Sequence, residues 1–123
     1  MEKLLFHYVD SELRLRHAID EKPNKNDFTM HVHEHYEIYL FISGNAKYIV
    51  EGSVYPLEPG TIIIIRPTEI HKAEIVGEDL YERYSINFST SFLDKIELSI
   101  DVGEYQDGRR NECCEECNTI IGW

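Results

Sequence analysis

From Leu13 to Phe88 the chain is a succession of short runs rich in β-branched and aromatic residues, cut by turn signals roughly every 8 to 15 residues. Such spacing leaves no room for long helices, and it predicts antiparallel strands closed into a sandwich or barrel. The runs are Leu13 to His17, Met30 to Ser43, Ala46 to Glu51, Val54 to Leu57, Thr61 to Arg66, His71 to Val76 and Tyr81 to Phe88. Between them stand the polar loop Glu21 to Asp27, Gly44-Asn45, the tight hairpin turn Gly52-Ser53, Glu58-Pro59-Gly60 and Pro67-Thr68-Glu69. Thr61 to Arg66 is nearly pure isoleucine and too short for a helix.

With 123 residues, 42% of them hydrophobic, the chain can bury one core but not two. Charge divides it unevenly: residues 1–95 carry 10 basic and 16 acidic side chains, whereas 96–123 carry 2 and 7. The second stretch holds no sustained apolar period, so the expected organisation is a barrel over 1–95 and an acidic, cysteine-containing tail of uncertain structure over 96–123. Net charge of −11 is the wrong sign for a phosphate backbone, so no direct nucleic-acid binding by this chain is expected. No run approaches the length of a membrane helix and the N-terminus lacks the parts of a signal peptide, which makes the cytoplasm the expected location. Cys113, Cys114 and Cys117 are an odd cluster without a downstream ligand pair, and read as reduced thiols on a solvated stretch.

Chemistry concentrates in the second run. Side chains two apart on a strand share a face, so His31, His33, His35 and Glu37 lead along one face into Tyr39 and Phe41. Imidazoles and a carboxylate are ligands for divalent iron, manganese, zinc or nickel, and His71, just after the isoleucine run, could supply a fourth. The same groups could instead be polar contacts in an organic-ligand pocket, with Tyr39, Phe41, Tyr48 and Tyr84 as aromatic walls. Arg66 shares the phase of Ile62 and Ile64 and either pairs with a carboxylate in the mouth or snorkels at the strand end. His7, His17 and His35 read as ordinary strand or surface histidines, although His35 has the phase to replace a ligand. Val32, Tyr36, Ile38, Leu40 and Ile42 make the opposite face equally apolar, which predicts a cover from outside, a homodimer interface or a partner domain.

His31-x-His33-x-x-x-Glu37 followed by Gly44 resembles the first motif of the cupin superfamily, a double-stranded β-helix or jelly-roll barrel. Gly60, Pro67 and His71 are similar to its second motif, without that motif's second glycine and without the asparagine after the histidine. Tyr55-Pro-Leu-Glu-Pro-Gly60, Pro67-Thr-Glu-Ile-His71 and Tyr81-Glu-Arg83 resemble one branch, the N-terminal effector-binding domain of AraC-type transcription regulators, over about residues 11 to 95. That resemblance implies a barrel that binds a small polar metabolite, often a sugar, dimerises, and works with a helix-turn-helix DNA-binding half that this sequence does not contain. The expected ligand-binding residues are therefore His31, His33, Glu37, Tyr39, Tyr48, His71 and Tyr84, with the segment before Met30 closing over the mouth. The alternative is a small metal-dependent cupin enzyme, an isomerase or dioxygenase, with metal on His31, His33, Glu37 and His71. No other acid, base or nucleophile is arranged for catalysis, so the sensor is the leading expectation over the enzyme.

Overall fold

The computed structural model describes residues 2–97, 112–114 and 119–121. Its strands are β1 (Glu2–Val9), β2 (Leu13–Asp20), β3 (Tyr36–Ser43), β4 (Ala46–Val50), β5 (Ser53–Pro56), β6 (Ile62–Ile65), β7 (His71–Ile75), β8 (Tyr81–Phe88), β9 (Glu112–Cys114) and β10 (Thr119–Ile121). A single-turn 3-10 helix covers Lys25–Asp27, and one α-helix, α1 (Thr90–Glu97), follows β8. The strands form a seven-stranded sheet in the order β1-β2-β8-β3-β6-β10-β9 and a three-stranded sheet in the order β5-β4-β7. Every pairing is antiparallel except β10 on β6. This is the antiparallel all-β barrel that the turn spacing predicts, in the jelly-roll form that the cupin resemblance implies.

The core lies between the sheets. Tyr39, Phe41, Ile63, Ile65 and Tyr81 from the large sheet meet Ala46, Tyr48, Val50, Tyr55, Ala73 and Ile75 from the small one. Phe41, Val50, Ile63 and Ile65 are almost wholly withdrawn from water, and each such side chain contributes about 1.5 to 3 kcal/mol by burial. In the isoleucine strand, Ile63 and Ile65 face this core while Ile62 and Ile64 are half-buried on the outer face.

Several expectations change in detail. The hairpin between β4 and β5 turns on Glu51-Gly52 rather than Gly52-Ser53, because Val50 pairs with Ser53 and both intervening residues have positive φ, +48° and +81°. Two-residue hairpins of the favoured hand demand that sign at both positions. β3 begins at Tyr36, not Met30; between them only an isolated bridge joins His31 to His71. β1, an exposed edge strand absent from the expected runs, pairs with β2, so the segment before Met30 contributes two strands of the wall, Glu2–Val9 and Leu13–Asp20. Within the expected tail, β10 lies beside β6, while Cys117 falls outside the described residues. Among the described residues no helix is long and apolar enough to cross a membrane.

Gly44 allows β3 to end against the start of β8. Its φ is +132°, and a Cβ there would stand 3.2 Å from both the Leu80 carbonyl oxygen and the Tyr81 Cα.

Candidate metal centre and ligand pocket

The segments carrying the histidines are stapled together by backbone. His31 N donates to the His71 carbonyl and His71 N donates back to the His31 carbonyl, both at 3.0 Å. Two residues further along, Thr68 N donates to the His33 carbonyl at 2.8 Å from a turn in which Thr68 has φ of +68°. A β-branched residue rarely holds that conformation, so the turn after Pro67 is strained in favour of this clamp.

Clamping brings His31, His33, Glu37 and His71 together, with one ligand atom from each all lying within 4.8 Å of one another. The Nδ1 of His71 lies 2.7 Å from the Glu69 carbonyl, that of His33 3.1 Å from the His35 carbonyl, and that of His31 3.1 Å from the Thr29 carbonyl. A carbonyl can only accept, so each Nδ1 carries a proton and each neutral ring is left with a lone pair at Nε2. His33 Nε2 is 3.1 Å and His71 Nε2 3.6 Å from Glu37 Oε1. A lone pair facing a carboxylate at such distances repels it unless a proton or a cation stands between. His71 is completely buried, and its Nε2 has no hydrogen-bond partner. The 3.6 Å contact to Glu37 is electrostatic and too long to be one. Donor types, tautomers fixed by carbonyls and an orphaned buried nitrogen are what a divalent metal requires, so these residues fit the ion their pattern implies.

A proton or a cation at those nitrogens in turn holds Glu37 ionised. Burial alone drives the Glu37 carboxyl upward, but the His33 and His71 imidazoles outweigh it, and its pKa is lowered to about 2. Tyr48 Oη donates to Glu37 Oε2 at 3.4 Å, and burial beside that carboxylate raises the phenol well above its ordinary range, keeping it a donor. Tyr39 and Tyr81 share a hydrogen bond of 2.6 Å deeper in the core; burial pushes Tyr81 up to about 12.

Beside the cluster opens a cavity of about 280 Å³ lined by His31, Glu37, Tyr39 and Tyr48 together with residues of β2 and β8. Cross-strand register explains which. Glu37 pairs with Asn87 and Asn87 with Arg14, while Tyr39 pairs with Ser85 and Ser85 with Arg16, so these residues share the inner face. Tyr84 belongs to the other phase: it pairs with Leu40 and His17, stacks on His17 at 4.0 Å and is not among the residues lining this cavity. Phe41 is in the core, away from the cavity lining. Arg66 is half-exposed at its strand end and pairs with Glu69. His35 is exposed, its phase broken because residues 31–35 do not form regular strand, and it lines a neighbouring cavity with His33.

Reasoning from sequence missed Arg14, Arg16, Arg83, Ser85 and Asn87. Arg83 binds Asp20 at 2.6 Å and Glu2 at 2.5 Å, and its guanidinium lies over the rings of Tyr81 and Phe28. Glu2 also pairs with Arg16. The signal was present in the strict alternation Leu13-Arg-Leu-Arg, whose polar phase is the one facing inward here.

A barrel of this topology has the cupin fold. Solved cupins share the fold at low identity: a Cupin 2 conserved barrel domain protein from Salinispora arenicola is 16% identical with a TM-score of 0.58, over 80% of this chain and 83% of that one. An RmlC-like cupin from Methanocaldococcus jannaschii is 11% identical with a TM-score of 0.61, over 76% and 86%. A protein from Photorhabdus luminescens is 20% identical with a TM-score of 0.59, over 78% and 83%. No curated protein matches the chain. Residues 17–116 match the AraC-like ligand binding domain, and the chain belongs to that family.

Proposed function

We propose that this domain senses a small polar metabolite in the cavity beside Glu37, and that a divalent metal held by His31, His33, Glu37 and His71 forms one wall of the binding site. The observation that carries the reading is the buried, unpartnered Nε2 of His71 facing the Glu37 carboxylate, inside a set of imidazoles whose other nitrogens are tied to carbonyls. Membership of a ligand-binding family supports sensing. When bound, iron, manganese, zinc or nickel would offer a Lewis-acidic position to a ligand oxygen. The chain's own residues do the rest: Glu37 and the three imidazoles hold charge in place, Tyr48 fixes Glu37, and Tyr39, Phe28 and Tyr81 give the cavity apolar surface.

Sensing requires that the ligand prefer one arrangement of the protein over another, and Glu2, Arg16 and Arg83 couple the cavity to the exposed strand β1. A second copy of the chain on the outer face of the large sheet is the partner this reading implies, in the cytoplasm. Elemental analysis of the purified, untagged protein tests the metal. Near-stoichiometric metal that disappears in His71→Ala and His33→Ala is expected; absence of metal from protein refolded with each of the four ions overturns this wall of the site. The same donor set would also serve a metal-dependent isomerase or dioxygenase, and turnover of any ligand that binds would establish that second reading.

A further inference from the structure

We infer that the cavity's ligand is a small carboxylic acid and that Arg14 is the residue that selects it; the placement of the ligand's other end rests on the metal reading above. Arg14, Asn87 and Glu37 occupy consecutive positions of one row across β2, β8 and β3. Strands lie about 4.8 Å apart, so Arg14 stands roughly 10 Å from Glu37 along the row. The space along the row suits a ligand of a few carbons.

The polar groups along that gap are unclaimed. Among the described residues Arg14 makes no ion pair, and the side chains of Asn87 and Ser85 make no hydrogen bond, although all three line the cavity. Arg14 and Asn87 also line the adjoining cavity beside His33 and His35, so the pair stands where the two spaces meet at the cluster. The other arginines of the wall are already neutralised, Arg16 by Glu2 and Arg83 by Glu2 and Asp20.

Charge points the same way. Arg14, Arg16 and Arg83 oppose Glu2, Asp20, Asp27 and Glu37 around the cavity, so a seated divalent cation leaves the site positive by one charge in a chain of net −11. An anion relieves that excess, and a neutral sugar does not. Glu2 indicates which anion. Its carboxylate already lies against the guanidinium groups of Arg16 and Arg83 in this wall, so the surface demonstrably accepts planar carboxylate. Arg14, the same face and two residues from Arg16, offers a second guanidinium fork with the Asn87 amide beside it. A hydroxy acid, a dicarboxylic acid or a sugar acid would reach from the metal to this pair.

The test is titration calorimetry on the full chain with malate, succinate and neutral arabinose as probes, alongside metal analysis of each sample. Malate or succinate should bind, and arabinose should not. Arg14→Gln should weaken acid binding at least tenfold with metal content unchanged, and Arg14→Lys should recover only part, having the charge but not the fork. Circular dichroism of both variants checks the fold, which an exposed strand position should not disturb. Unaltered malate and succinate affinity in Arg14→Gln, or arabinose binding with neither acid binding, overturns the inference while leaving the metal reading intact. Protein without metal whose acid binding still depends on Arg14 supports the selecting role of Arg14 and overturns the metal reading instead.

Discussion

At the scale of single residues, the cluster's protonation logic has a consequence for pH. Binding metal needs a lone pair on each imidazole, so protons compete with the ion and loading falls on acidification. Glu37 is not the group that yields: its carboxyl, held at about 2 by the two imidazoles against burial, stays ionised well into the acid range. Metal content measured after dialysis should therefore fall as the solution is taken from neutral to acid. Constant loading over that interval would contradict the assignment of the histidines as ligands. Alternation put His31, His33, His35 and Glu37 on one face, and the resemblance to the cupin motifs left His35 out and brought His71 in. Arg14, Asn87 and Ser85 were not legible, because polar residues on a strand ordinarily face water. Around a polar cavity the rule inverts: the Arg14, Arg16, Ser85 and Asn87 phase turns inward, and Leu13, Leu15, Ile86 and Phe88 turn out. That inversion is also why Tyr84, aromatic and apparently suited to a wall, lies on the far side.

At the scale of elements, alternation and turn chemistry predicted the order of strands from β2 to β8 but not every end. The run before Tyr36 alternates as a strand should, yet its backbone bonds go to His71 and Thr68 rather than into a ladder, a tertiary choice that no local pattern carries. Strand β1 escaped notice because its residues alternate poorly and remain exposed on both faces. Gly44 is the element boundary most sensitive to change. A methyl group there would meet backbone of Leu80 and Tyr81 at 3.2 Å and would hold a non-glycine residue at φ of +132°. Gly44→Ala should cost more than about 1 kcal/mol, read as a lowered denaturation midpoint at unchanged slope. The Gly52→Ala variant is the control: nothing stands within 4 Å of its added carbon, so only its φ of +81° is penalised.

For the whole molecule, the outward phase leaves Leu15, Ile38, Ile64 and Ile86 half-buried in one row across β2, β8, β3 and β6. An apolar sheet face of this breadth is unfavourable against water, and a second copy would cover it. Light scattering coupled to gel filtration should give twice the chain mass, reverting to one chain mass in Ile86→Glu. Because every copy carries −11, association should tighten as salt screens the repulsion. A monomer at every concentration and salt would show that the face is covered otherwise.

The paired backbone bonds between His31 and His71 have one more implication. These two amides are protected only by each other, in stretches that belong to no common ladder, so their solvent exchange reports whether the two halves of the site are locked together. Adding metal to stripped protein should slow deuterium uptake at residues 31 and 71 jointly, while the amides of β4 and β5 keep their rates. Peptide-level mass spectrometry would thus follow assembly of the centre without an assay for any ligand, and equal uptake with and without the ion would mean that the clasp closes before the ion arrives.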